Sequence, residues 1–322
     1  MKRILIALAA SALTFAAAAQ SYPARPVTMI VPFPAGGPTD TIARIVTSHM
    51  SRTLGQQVIV ENVPGAAGTV GITRGSLAKP DGYTIMMGHM GTHGAAVGLY
   101  PNLKYDPVES FAPIGLAAGT PILIVTRKDF PADDLPGFVA QLKANGPKFN
   151  EANAGIGSVS HTTCTLLQEL TQTRFNRVAY RGTGPTLNDL VAGQVDFGCD
   201  QIVTLVPQIL DGKIKAITIA TPARVPSLPG VPTAKESGLP EFEVSAWNAI
   251  FAPKDTSPEI VATLVEALDK ALDDETVKKR LEELGGVIPD KQGRTPDALQ
   301  KLVESEVARW TPILKAAGVT AP

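Results

Sequence analysis

An excess of charge of one sign is missing from this sequence. Lys plus Arg number 29 against 30 Asp plus Glu, a formal net charge of −1, and no block of like charges occurs. Nucleic acid and anionic membrane surfaces both select for a basic patch, so neither is expected as a partner. Cysteine is almost absent. Cys164 and Cys199 are the only two, and neither belongs to a C-x-x-C pair, which removes the usual thiol-redox and zinc patterns. In an oxidising compartment they either pair or remain as two buried thiols. Histidine is scarce, with four in the chain, and no H-E-x-x-H or Cys/His cluster offers a metal site. No G-x-S-x-G marks a hydrolase nucleophile. Beyond the first 19 residues, no apolar run approaches the ~20 residues that span a bilayer.

What is present begins at the N-terminus. Lys2 and Arg3 precede "ILIALAASALTFAAAA", and Ala17 and Ala19 stand in an A-x-A arrangement before Gln20. This is the pattern of a secretory signal peptide over residues 1–19, cleaved near Ala19, and it predicts an exported mature protein. The remainder is rich in Gly (29) and Pro (27), which suits many short connections between strands and helices. Apolar strand, glycine turn and amphipathic helix alternate repeatedly. "VTMIVPF" leads to a helix near 38–54 with Ile42, Ile45, Val46, Met50 and Leu54 on one stripe, and "QVIVEN" to a helix ending near Leu77. "KFNEANA", "FNRVAY" and "QVDFGC" each precede a further turn, and "KIKAITIA" adds a strand. The alternation predicts an α/β fold with largely parallel sheets.

Two long strand-like runs interrupt the rhythm, at 113–127 and 242–253, and the chain then turns helical, with stripes at 258–272 and 297–317. The simplest topology has two lobes: a discontinuous first domain from 20–120 and 246–322, a second from 121–245, and two crossover strands as a hinge. Ligands of open α/β sheets bind where strands end and helices begin. The turns at 33–39, 88–93, 154–161, 180–185 and 200–204 share that position and come from both lobes.

The turn "PFPAGGPTD" (32–40) places Pro38 at a first helical position, Gly37 at the N-cap and Asp40 where its carboxylate reaches back to a loop N–H. The N–H groups of Ala35, Gly36 and Thr39 are suited to an anion. A nucleotide is excluded on details: no Gly-Lys-Ser/Thr follows these glycines, and "GIGSVS" carries Ser160 where a dinucleotide fingerprint needs its third glycine. Of the histidines, His49 belongs to a helix face, while His89 and His93 flank "HMGTHG" and His161 follows "GIGSVS". His93 and His161 are as suited to ligand contact as to capping. Ser158 and His161 lie one helical turn apart, but nothing completes a triad. Arg181 and Asp200 each suit either a ligand or their own loop, and Trp247 either the core or a cleft wall.

Taken together, "YPARPVTMIVPFPAGGPTDTIAR", "VIVENVPGAAGTVG", "KPDGYTI", "GIGSVSH", "YRGTGPTLNDLVAGQVDFGCDQ" and "FEVSAWNAIFAP" resemble the Bug (TctC-like) proteins, periplasmic solute-binding components of tripartite tricarboxylate transporters. The resemblance covers essentially the whole mature chain. It implies a two-lobed, type II-like periplasmic-binding fold whose cleft closes over a ligand carboxylate, held by backbone N–H groups, small hydroxyls and waters. Carried over by motif, the pocket comprises Phe33, Ala35, Gly36, Gly37, Thr39, Thr92, His93, Ser158, His161, Tyr180, Gly182 and Asp200. "SHTTC" with "CDQ" is similar to a subgroup with a cysteine pair, which implies a Cys164–Cys199 disulfide. "GTHGAAVGLY" departs from the family, which often carries Asn-Pro before Leu-Tyr.

The expected function is therefore a non-enzymatic receptor, needing no cofactor or metal. It would capture a dicarboxylate, tricarboxylate, amino acid or aromatic acid and deliver it, as a monomer, to membrane transporter subunits. A periplasmic sensor that presents its closed form to a signalling protein is the alternative, and an exported hydrolase a remoter one.

Overall fold

The computed structural model describes residues 22–321; the signal-peptide expectation falls outside the described residues. In chain order the elements are β1 (Val27–Val31), α1 (Pro38–Leu54), β2 (Val58–Asn62), α2 (Thr69–Ser76), β3 (Thr84–His89), α3 (Ala96–Leu99), β4 (Phe111–Arg127), α4 (Leu135–Asn145) and β5 (Asn150–Asn153). They continue with α5 (Val159–Thr171), β6 (Asn176–Ala179), α6 (Thr183–Val191), β7 (Phe197–Gln201), α7 (Ile202–Leu210), β8 (Ile214–Ile219), β9 (Ser245–Pro253), α8 (Pro258–Asp273), α9 (Glu275–Glu283) and α10 (Pro296–Ala316). Of the stripe read in α1, Ile42, Val46 and Met50 are each fully enclosed, a contribution of about 1.5–3 kcal/mol per side chain, while Ile45 and Leu54 are half-buried at its edge. Helix α4 has no counterpart in the sequence reading. Its opening Leu-Pro-Gly obscures the helical period, but Asp134 caps it by accepting a hydrogen bond from Gly137 N at 2.8 Å.

In the first lobe β1 pairs in parallel with β2 and β3, and β9 runs antiparallel to β3. In the second, β5 pairs in parallel with β6 and β7. Strand β4 belongs to both. From Phe111 to Pro121 it pairs with β9, and from Ile122 onward with β7 on one side and β8 on the other. Its side chains alternate between the two faces: Ile122 and Ile124 enter the apolar layer beneath α5 and α10, Leu123 and Val125 the layer beneath α1, α7 and α8. Each layer runs through both lobes, so they share cores across the hinge.

A third chain segment runs beside these strands. Gly119 and Val287 exchange both backbone hydrogen bonds at 2.8 Å, which seats the stretch after α9 beside β4 close to the hinge. Gly285 there has φ +77, and a Cβ on it would lie 2.5 Å from Ile202 Cδ1. Cys164 of α5 and Cys199 of β7 form a disulfide with Cα atoms 5.5 Å apart. No helix among the described residues is long and apolar enough to cross a membrane.

Candidate ligand-binding site

The strand-to-helix turns of both lobes meet between the sheets. After β1, the chain turns through Gly36 (φ +83) into α1, with Gly37 as N-cap and Pro38 in the first turn. Asp40 fixes that turn from inside the helix. One of its oxygens accepts from Gly36 N and from Arg44 Nε, both at 2.9 Å, and the other from Asn62 Nδ2 at 2.9 Å. Burial pushes the Asp40 carboxyl up, but Arg44, Gly36 N–H and Asn62 together outweigh it and hold the group below its usual range. Asp40 is thus a structural anchor, and the Gly36 N–H is engaged by it.

Across the cleft, α5 starts at Ser158, whose hydroxyl accepts from His161 N at 3.2 Å. Helix α6 starts at Gly182 and α7 at Gln201, neither with a side-chain cap. A chamber of about 40 Å³ lies between these starts. Phe33, Ala35, Gly37 and Thr39 line it from the first lobe; Ser158, Ser160, Thr183, Asp200 and Gln201 line it from the second. It holds one carboxylate-sized group or a few waters. The first turns of α1, α5 and α6 border it, and N–H groups there have no partner within their own helices. Their dipoles put positive potential into the space although no Lys or Arg lines it.

Asp200 is the carboxyl group facing this chamber. It accepts from Thr183 Oγ1 at 3.2 Å and from Gln201 N at 2.8 Å. Burial raises its pKa to about 6, against the lowering effect of those two bonds, so the group is poised either to accept a hydrogen bond or to donate one. Gln201 also reaches back to the hinge: its Oε1 accepts from Thr120 Oγ1 of β4 at 2.8 Å and from Asn248 Nδ2 of β9 at 3.4 Å.

A wider cleft of about 630 Å³ adjoins the chamber and shares Phe33, Pro34 and Ala154 with it. Tyr180, Arg181 and Gly182 form one wall, and Pro64 to Gly68 with Tyr100 the other. The lobes touch at its mouth. Tyr100 Oη donates to Ile156 O at 3.1 Å, and Gly182, at φ +111, sits so close that a Cβ would lie 3.0 Å from Pro34 Cγ. Tyr180 Oη donates to Asp189 at 2.6 Å.

Four of the residues singled out from the sequence do not line this surface: Gly36 lies exposed outside it, and the other three stand behind it. Gly36 is engaged by Asp40. Thr92 and His93 are fully enclosed: Thr92 Oγ1 bonds the backbone of His89, and His93 stacks on Phe251 with centroids 4.1 Å apart. His161 Nδ1 accepts weakly from Gly157 N at 3.4 Å, and burial lowers its pKa to about 4. Conversely His89, Ser160, Thr183 and Gln201 border the chamber without having been chosen from the sequence. The one available signal was position, since each lies within a turn already identified. Trp247 is buried and packs in the core beneath α10. No group of three or more His, Cys, Asp or Glu among the described residues is placed to hold a metal.

The family model described as the tripartite tricarboxylate transporter family receptor, TctC, matches residues 42–319. The UPF0065 protein in the TAR-I ttuE-ttuC' intergenic region of Agrobacterium vitis is 43% identical over 316 residues, covering 98% of this chain and 91% of that one. Among solved structures, MatC from Rhodopseudomonas palustris with bound malate is 47% identical, with a TM-score of 0.88 over 91% of this chain and 100% of its own. The periplasmic binding protein BugD is 43% identical, with a TM-score of 0.89 over 93% of this chain and 100% of its own.

Proposed function

Because this chain belongs to the tripartite tricarboxylate transporter receptor family, TctC, we propose that it captures a small dicarboxylate of the malate class in the periplasm and presents it to the membrane subunits of such a transporter. The observation that carries the proposal is the chamber between α1, α5 and α6, with helix N-termini from both lobes and no cationic side chain in its lining. One ligand carboxylate occupies that chamber, and the rest of the molecule extends into the wider cleft towards Tyr180 and Arg181. Similarity to a malate-bound relative supports a four-carbon acid. Capture proceeds by hinge closure: the ligand contacts both lobes only when they are together, so it shifts the population to the closed form. The partner change of β4 between Pro121 and Ile122, and the start of β9 at Ser245, support lobe boundaries at 120/121 and 245/246. We take the working form to be a monomer.

The test is a thermal-shift and calorimetric panel on protein freed of carried-over ligand by unfolding and refolding. L-malate, succinate, adipate, citrate, L-aspartate and benzoate form the panel. A four-carbon dicarboxylate is expected to raise the melting temperature, with ~2.7 kcal/mol of added stability at a hundredfold excess over Kd. Binding of none of these acids would overturn the proposal.

A further inference from the structure

His89 closes β3 and borders the chamber, yet it is almost wholly enclosed, with 1% of its surface exposed. Its Nδ1 accepts two backbone hydrogen bonds, from Gly91 N at 2.7 Å and Thr92 N at 3.2 Å. Both partners are obligate donors, so Nδ1 carries no proton and the hydrogen of the neutral ring resides on Nε2. That Nε2–H makes no hydrogen bond to any described residue. The ring plane is held by Phe33, stacked at 4.7 Å between centroids and 22° between planes. Its neighbour His93 differs: there Nε2 is sealed among aromatic rings without a partner.

Resting on the receptor reading above, we infer that His89 is a ligand-binding residue that donates its Nε2–H to the carboxylate in the chamber. The fold has set its tautomer in advance. Protonating the ring would place a hydrogen on Nδ1 and break both bonds from the 91–92 backbone. Burial lowers its pKa to about 4, in keeping with a ring that stays neutral. The chamber therefore gains a directed donor with no charge of its own. Asp200, the titratable group facing it from β7, is on the second lobe, so His89 and the α5 and α6 starts grip one anion from opposite sides.

Two substitutions separate this role from a structural one. In His89→Asn, the amide oxygen takes the place of Nδ1 and keeps the turn, but the Nε2–H is lost. In His89→Gln, the amide nitrogen takes the place of Nε2 and keeps the donor, but the turn loses its acceptor. With L-malate and succinate as calorimetric probes, Asn is expected to weaken binding about 10- to 100-fold with little change in melting temperature, as for a lost hydrogen bond to a charged group. Gln is expected to bind within a few-fold of wild type even if it melts earlier. The reverse order, or wild-type affinity in both, would overturn the inference while leaving the receptor reading intact. If both variants bind weakly, the ¹⁵N resonance of wild-type His89 Nε2 decides: movement on adding L-malate supports the donor, and no movement overturns it. If wild type binds neither of these but another acid of the panel, that acid replaces them as probe with the same expected order of variants; a wild-type protein that binds none of the panel overturns the receptor reading and this inference together.

Discussion

Glu151 on β5 is fully enclosed, and only one of its oxygens has a partner, Asn153 Nδ2 at 2.9 Å. Burial raises its pKa to about 7; Asn153 and Arg177 oppose the rise and Asp200 adds to it. The folded chain therefore holds a proton that the unfolded chain has lost between about pH 4.5 and 7, and stability contributed by this group falls as pH rises through that window. Glu151→Gln removes the penalty. Urea unfolding should find the variant more stable than wild type at pH 8, by on the order of 2–3 kcal/mol, with the difference closing near pH 4. Equal stability at pH 8 would mean that the carboxyl is not desolvated. At this scale the sequence was least legible. It named His93 over His89, because β3 is buried on both faces and its alternation carries no inside–outside signal. Residues 91–95 wind as a π-type turn with His93 fully buried, and no spacing in "HMGTHG" announces it.

The elements that build the chamber are joined behind it by the Cys164–Cys199 disulfide. It ties α5, six residues past its Ser158 cap, to β7 at the residue before Asp200. Both sulfurs are buried, so the bond fixes one helix start against the neighbouring strand end. Replacing both cysteines with alanine should lower stability by ~3–4 kcal/mol in the chain-entropy model, measured by denaturant unfolding, and should weaken L-malate binding by loosening that pair of elements. Unchanged stability would show that packing alone holds α5 on β7. Most elements were legible beforehand because they carry their period openly: the α1 stripe, the long run that became β4, and the terminal helix with Leu299, Val303, Trp310 and Leu314 buried. Helix α4 was not, since an opening Pro-Gly reads as a turn until Asp134 is seen capping it.

For the whole molecule, the sequence already implied two lobes and two crossings, and resemblance supplied the receptor class. The bridge between Gly119 and Val287 beside the hinge was hidden because a single bridging residue makes no pattern. Gln201 is where the scales meet. It borders the chamber and accepts bonds from Thr120 and Asn248 on the two long hinge strands, linking ligand position to the pivot. On this proposal the anion is held by helix starts from both lobes and by His89, without a cationic side chain. A crystal structure of the L-malate complex tests this most directly. It should place one carboxylate in the chamber within 2.7–3.2 Å of N–H groups from the first turns of α1 and α5 or α6. A malate held instead by Arg181 in the outer cleft, with the chamber filled only by water, would contradict it.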